Sequence, residues 1–247
     1  MLQTIGMLAV TLGIIGLIYG FMQKLKAGRV ADAPLVGTGH AAARGSQLAS
    51  PKGAISAQGR VLCPQPLLSP VTGTPCLYYD VKVTAKWKDG EVEKSKELDH
   101  QRVAAPFAID DGTGAVAIDA SKGGEFEPSQ IREESKGTGL LGGITGTDLV
   151  FGNFRVQTGM LAFGTTYTVR EEVLPVQQTL YACGKAAVAG GQQCAIASPD
   201  WRQLLLSNKS REDMLASATK GAKTFLIGGA AAFASGIVLA VIGQLVS

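Results

Sequence analysis

The chain has 247 residues, of which 46% are hydrophobic and 17% charged, with a net charge of +3. Once two long apolar segments are set aside, that length accommodates one well-packed domain with linkers. A charge balance this close to neutral leaves no electrostatic footprint for nucleic acid, and no nucleic-acid partner is expected.

Residues 2–22 carry no charge and are predicted to form a first transmembrane helix, since about 20 helical residues cross a bilayer core of roughly 30 Å. A cleavable signal peptide is disfavoured. Met1, Leu2, Gln3 and Thr4 supply no basic n-region, and the apolar run exceeds a typical h-region. Residues 23–54 are expected to be a flexible linker, rich in Gly, Ala and Ser and without periodicity. His40 within it reads as a solvated linker histidine.

Residues 55–209 read as a mainly β domain. A strand is predicted over 55–63, then a loop punctuated by Pro64, Pro66, Pro70 and Pro75. Residues 76–87 alternate, with Tyr79, Val81, Val83, Ala85 and Trp87 on the buried side. Residues 88–99 are charged in both signs and are expected to be a hairpin tip or loop. Residues 106–119 form the clearest hairpin, with Asp111-Gly112 at its turn. Further strands are expected over 166–173, 179–184 and 194–197. Residues 137–154 contain six glycines among apolar side chains. They are read as a flap whose Leu140, Leu141, Ile144, Leu149 and Phe151 are candidate contacts for a partner or the bilayer.

Residues 210–223 are predicted to form a juxtamembrane helix begun by Ser210, with Asp213 completing a weak capping box. Residues 224–246 form the second uncharged span. Lys24, Lys26 and Arg29 follow the first span, and Lys209, Arg211, Lys220 and Lys223 precede the second. Basic residues near spans favour the cytoplasmic side, so the domain is expected there, with the periplasm as the alternative. Gly6, Gly13, Gly16 and Gly20 in the first span, and Gly228, Ala232 and Gly236 in the second, are candidates for close helix packing or self-association.

Catalytic and cofactor patterns are lacking. No G-x-x-x-x-G-K motif follows the glycines. Asp110, Asp111 and Asp119 lack EF-hand spacing. No two cysteines form C-x-x-C, and His40 and His100 are the only histidines, so no zinc site is expected. Glu171 and Glu172 are adjacent in a strand and point to opposite faces, which disfavours a carboxylate pair. Cys63, Cys76, Cys183 and Cys194 read as small apolar core residues, or as disulfides if the domain is periplasmic. Tyr78, Tyr79, Trp87 and Phe107 are not interleaved with a basic run, as an OB-type single-strand binder would require.

Three strings, SPVTGTPCLYYDVKV (69–83), PFAIDDGTGAVAID (106–119) and YTVREEVLPVQQTLYACG (167–184), resemble the GIDE-type domain, also called the beside-a-membrane (BAM) domain. It is found in mitochondrial and chloroplast E3 ubiquitin ligases and in bacterial proteins. The resemblance covers about residues 55–215 and extends to the two flanking spans. It implies a mainly β domain, OB-like with a glycine-rich insertion, that recognises partners or substrates. Gln177 stands where the family usually has Gly. Those ligases carry a RING, which needs about eight Cys/His metal ligands, against four Cys and two His here. Ligase activity is therefore not expected to carry over. In the mitochondrial relatives the domain faces the intermembrane space, whereas the flanking charges here point to the cytosol. The expectation is a bacterial inner-membrane scaffold or recognition protein without catalytic residues, metal or cofactor, bound to an unknown membrane-proximal protein. The alternatives are a subunit of a membrane homo-oligomer, a cysteine-dependent enzyme and an OB-type nucleic-acid binder.

Overall fold

The computed structural model describes residues 2–137, 149–156, 164–189, 193–198 and 204–245. The chain divides into two compact units, Met1–Ala33 with Lys209–Ser247, and Pro34–Asn208.

The first unit is a pair of helices, α1 (Leu2–Asp32) and, numbered in chain order, α3 (Arg211–Leu245). Both are long and apolar enough to cross a membrane. Large apolar side chains stand on their outer faces, with Leu8 and Leu12 each 64% exposed and Ile227 61%. Such surfaces suit lipid rather than water. The helices run antiparallel, so that Gly6 meets Ala240, Gly13 meets Phe233 and Gly20 meets Leu226. A Cβ on Gly13 would lie 2.6 Å from the Phe233 amide nitrogen, and one on Gly236 would lie 2.6 Å from that of Val10. Gly16 sits beside Gly229, 3.2 Å from its Cα if it carried a Cβ. Glycine here is what allows the backbones to touch.

The α1–α3 seam uses some of the candidate positions and not others. Gly228 has nothing within 4 Å of where its Cβ would be, and Ala232 is half-buried, whereas Gly229 and Gly243 line the seam with Gly236. A seven-residue step holds one face of paired helices, while a four-residue step drifts around the cylinder. At the far end, Ser210 Oγ accepts the Asp213 amide at 3.1 Å and donates to the Asp213 carboxylate at 2.8 Å, starting α3.

The second unit is built on a closed barrel. Strand β1 (Ala54–Leu62) pairs through residues 54–60 with β12 (Thr179–Ala189) and through 60–62 with β5 (Phe107–Asp110). A Cβ on Gly59 would lie 2.6 Å from the Asp110 carbonyl carbon, so glycine is needed where β1 passes from one partner to the other. β5 forms a hairpin with β6 (Ala115–Asp119), β6 runs parallel to β13 (Gln193–Ala197), and β13 returns to β12. The ring β1-β5-β6-β13-β12 has a Greek-key order with one parallel pair, the arrangement of an OB-type barrel. Ile55, Ile109, Val116, Leu180 and Ile196 fill it. Two short strands extend it, β14 (Leu204–Ser207) on β12 and β7 (Gly124–Glu127) on β14.

Two insertions build a second sheet. Between β1 and β5 come β2 (Leu67–Leu68), β3 (Pro75–Asp89) and β4 (Val92–Ala104). Between β6 and β12 come β7, β8 (Gln130–Gly137), the hairpin β9 (Leu149–Phe151) and β10 (Phe154–Val156), and β11 (Thr166–Pro175). β3 pairs with β4 and β11, and β11 pairs with β8. Val81, Val83, Ala85, Tyr167 and Val169 form one face, and Phe151, Phe154 and Val156 pack over it.

Three further expectations change. The segment 23–54 is not a structureless linker. α1 continues to Asp32, Pro34 and Val36 hydrogen-bond to Ser56 of β1, and α2 (Thr38–Leu48) buries Ala41 and Ala42 against the barrel core. Residues 92–99, expected to lie in a turn or loop, belong to β4. This edge strand is held by backbone pairing to β3 and is almost wholly exposed, so no apolar alternation marks it. Within the flap, Phe151 is fully buried and Leu149 packs on the same core, which makes both fold-builders rather than contacts. Leu140, Leu141 and Ile144 lie outside the described residues.

Gly13→Leu is expected to prise α1 from α3, at a cost of about 1–3 kcal/mol for the overpacking. Tyr19 and Phe225 meet edge to face with ring centroids 4.6 Å apart, so cysteines placed at those two positions report the pairing. Cross-linking should fall with Gly13→Leu and persist with Gly228→Leu. Equal cross-linking in both variants would refute the seam.

Candidate functional site

The sequence motifs meet in two polar clamps that hold the fold together. Glu171, on β11, is fully buried. Its Oε1 accepts the Val71 amide at 2.8 Å, and its Oε2 accepts the Thr72 amide at 3.2 Å and the Thr72 hydroxyl at 2.6 Å. These bonds fix the turn 69–74, in which Ser69 N donates to Thr74 O at 3.0 Å. The turn in turn receives the β9–β10 hairpin: Asn153 N donates to Pro70 O at 3.1 Å. Gly152, at φ +58°, sits where a Cβ would lie 1.9 Å from Val71 O, so no other residue fits.

The second clamp joins the 110–114 turn to α2. The Thr38 hydroxyl donates to Asp111 Oδ1 at 2.6 Å, and Thr38 N donates to Oδ2 at 3.1 Å. Asp110 Oδ1 accepts Gly112 N at 2.8 Å within the turn. Hydrogen bonds from Thr113 and then Thr38 hold the Asp111 carboxyl far below the usual carboxylate range.

A third polar group is more open. On β3 and β4, Asp80 Oδ2 accepts Arg102 Nε at 2.9 Å and the Tyr78 hydroxyl at 3.2 Å, while Oδ1 lies 2.9 Å from His100 Nε2. Partial burial would raise the Asp80 carboxyl, but Arg102 and His100 outweigh it and hold it low. Burial, reinforced by the Asp80 charge, pushes the Tyr78 hydroxyl well above its ordinary value. His100 is thus one member of a surface charge network, with Glu97 and Lys82 beside it. No serine or cysteine is bonded to it among the described residues.

A cleft of about 320 Å³ is lined by residues 104–107, 117–121 and Ala195. Beside it, Arg102 donates to Lys122 O at 3.3 Å. Half of the lining residues are alanine, with Pro106, Phe107 and Ile118 contributing the larger apolar side chains. Asp119 at the rim accepts Ser121 N at 3.0 Å. The cleft adjoins β5 and β6, the second and third strands of the ring, the face on which OB-type barrels bind ligands. It offers an apolar seat in which Asp119 is the one charged lining residue, with no acid–base pair among the described residues. A second depression of about 220 Å³ lies by Thr72, Arg132 and Glu171.

Cys63 and Cys76 are free thiols. Burial, and then the Glu171 charge, pushes the Cys76 thiol up to about 11, so it is protonated at neutral pH and a poor nucleophile. Among the described residues no cluster of three His, Cys, Asp or Glu is placed to hold a metal. The cleft was not visible in the sequence, because its alanines are scattered over three segments and carry no motif.

The family model described as "GIDE: E3 Ubiquitin ligase" matches residues 80–242. No curated protein and no solved structure matches the chain.

Glu171→Ala is expected to cost about 1–3 kcal/mol, because it leaves the buried Val71 amide without an acceptor. The thermal midpoint of the full chain in detergent measures this, and a change within error would refute the clamp. Asp80 and Asp111 titrate lower in the folded state than the roughly 3.9 of an unfolded aspartate. Their stabilisation is therefore complete above that pH and drains as pH falls below it. The midpoint should hold from neutral pH to about 5 and drop below about 4, with a shallower drop in Asp111→Asn. A variant slope as steep as that of the parent would remove Asp111 from the account.

Proposed function

The chain belongs to the GIDE family, and we propose that within it this protein is a membrane-anchored recognition or scaffold component with no catalysis of its own. The observation that carries this reading is where the motif residues are used. Glu171, Asp110, Asp111 and Gly152 are engaged in holding turns, strands and α2 together. Among the described residues the apolar cleft along 104–107 and 117–121 is open on the surface, and it suits an apolar side chain of a partner protein rather than a reaction. The cysteines give no support to thiol chemistry, and a RING's set of about eight metal ligands exceeds the four Cys and two His of this sequence.

On this reading α1 and α3 anchor the chain in a bacterial inner membrane with Pro34–Asn208 in the cytoplasm. Lys24, Lys26, Lys220 and Lys223 at the inner ends of the spans support that orientation. Anchoring at both ends confines the domain to a thin layer and raises its effective concentration for membrane-bound partners.

Ala117 is exposed at the cleft, so Ala117→Arg should block the seat without disturbing the core. A photo-cross-linker at Ser121 in native membranes is expected to give discrete adducts with the parent chain and lose them with Ala117→Arg at an unchanged melting midpoint. Unchanged adducts would refute the cleft as the recognition surface. Incubated with ubiquitin, its activating and conjugating enzymes and ATP, the purified chain is expected to form no conjugates, and conjugates that depend on it would overturn the non-catalytic reading.

A further inference from the structure

We propose that the paired helices α1 and α3 carry a binding site for the phosphate of anionic phospholipid headgroups. The inference rests on reading both helices as bilayer spans. Their antiparallel packing is what builds it. Gly20 meets Leu226, and a Cβ on Gly221 would lie 3.6 Å from Gln23 Cγ. That alignment brings Lys24 and Lys26 of α1 to the level of Lys220 and Lys223 of α3, although the two sets are almost two hundred positions apart in sequence. Lys24, Lys220 and Lys223 are exposed, and none has a carboxylate partner among the described residues.

The surroundings define the ligand. Residues 2–31 and 214–245 contain no Asp or Glu. Asp213, about two helical turns before Lys220, is already engaged by Ser210. Lys24, Lys220 and Lys223 therefore carry charge that no ion pair among the described residues compensates. Immediately next to it on the membrane side stand exposed apolar side chains, with Met22 62% and Phe21 56% exposed on α1 and Phe225 43% on α3. Cations beside an apolar surface match a phosphodiester beside its own acyl chains. Lysine stems can lie along the apolar zone with their ammonium groups at headgroup level. Free phosphate would meet only half of this arrangement.

The test uses the full chain in bilayer nanodiscs of mixed phosphatidylcholine and phosphatidylglycerol, with spin-labelled lipid of each kind reporting relative association. The parent chain is expected to prefer phosphatidylglycerol several-fold at low salt, with the preference collapsing toward unity in molar salt. The triple variant Lys24→Gln, Lys220→Gln, Lys223→Gln should show no preference, and the matching triple arginine variant should retain it. Equal association of both lipids with the parent, or a preference undiminished in the glutamine variant, would overturn the site. Competition by inorganic phosphate at constant ionic strength would reassign it to a soluble anion and overturn the lipid assignment. Extraction of the chain from membranes by alkaline carbonate would instead overturn the span reading, which separates the two failures.

Discussion

The carboxylate of Glu171 is the constraint on which much of the second unit depends. A charge withdrawn from water persists only where donors replace its hydration, and here the donors come from the turn 69–74, a hundred residues earlier in the chain. Meeting that requirement fixes the turn against β11. The turn then offers Pro70 O and Val71 O to the β9–β10 hairpin, and the hairpin covers the apolar face of the second sheet. One buried charge thereby joins both insertions. The same charge sits near Cys76 and helps to keep that thiol protonated.

What the sequence revealed followed physical signals that are local. The two helices long and apolar enough to cross a membrane were legible from their unbroken apolar runs. The strand around Val81 and Val83 was legible from alternation, the 106–119 hairpin from Asp111-Gly112, and the start of α3 from Ser210 and Asp213. The misses have non-local causes. β4 and β8 are edge strands whose side chains are nearly all exposed, so backbone pairing alone defines them. α2 has a composition that suits a linker, and it is held by Thr38 and Asp111 across 73 positions. In the second span the four-residue spacing drew attention to Gly228, whereas contact with a partner helix selects the seven-residue set Gly229, Gly236 and Gly243. The cleft needs three segments to come together before its alanines mean anything.

The division of labour between interior and surface bears on function. In this member of the GIDE family, motif residues such as Glu171, Asp110 and Asp111 specify turns and pairings. On the proposed reading, recognition would fall to the cleft of small apolar side chains along 104–107 and 117–121, beside which Arg102 donates to Lys122 O.

The way the barrel closes also sets an order of events during synthesis. β1 lies early in the domain, yet its principal partner is β12, with Ala54 opposite Lys185, and β3 likewise waits for β11. Neither sheet can be completed until nearly all of the domain has left the ribosome. Contacts this distant in sequence make for slow folding, and the first span is already available for membrane insertion throughout that interval. The nascent domain is thus an open chain of unpaired strands held at one end, and it gains its barrel only shortly before the second helix follows.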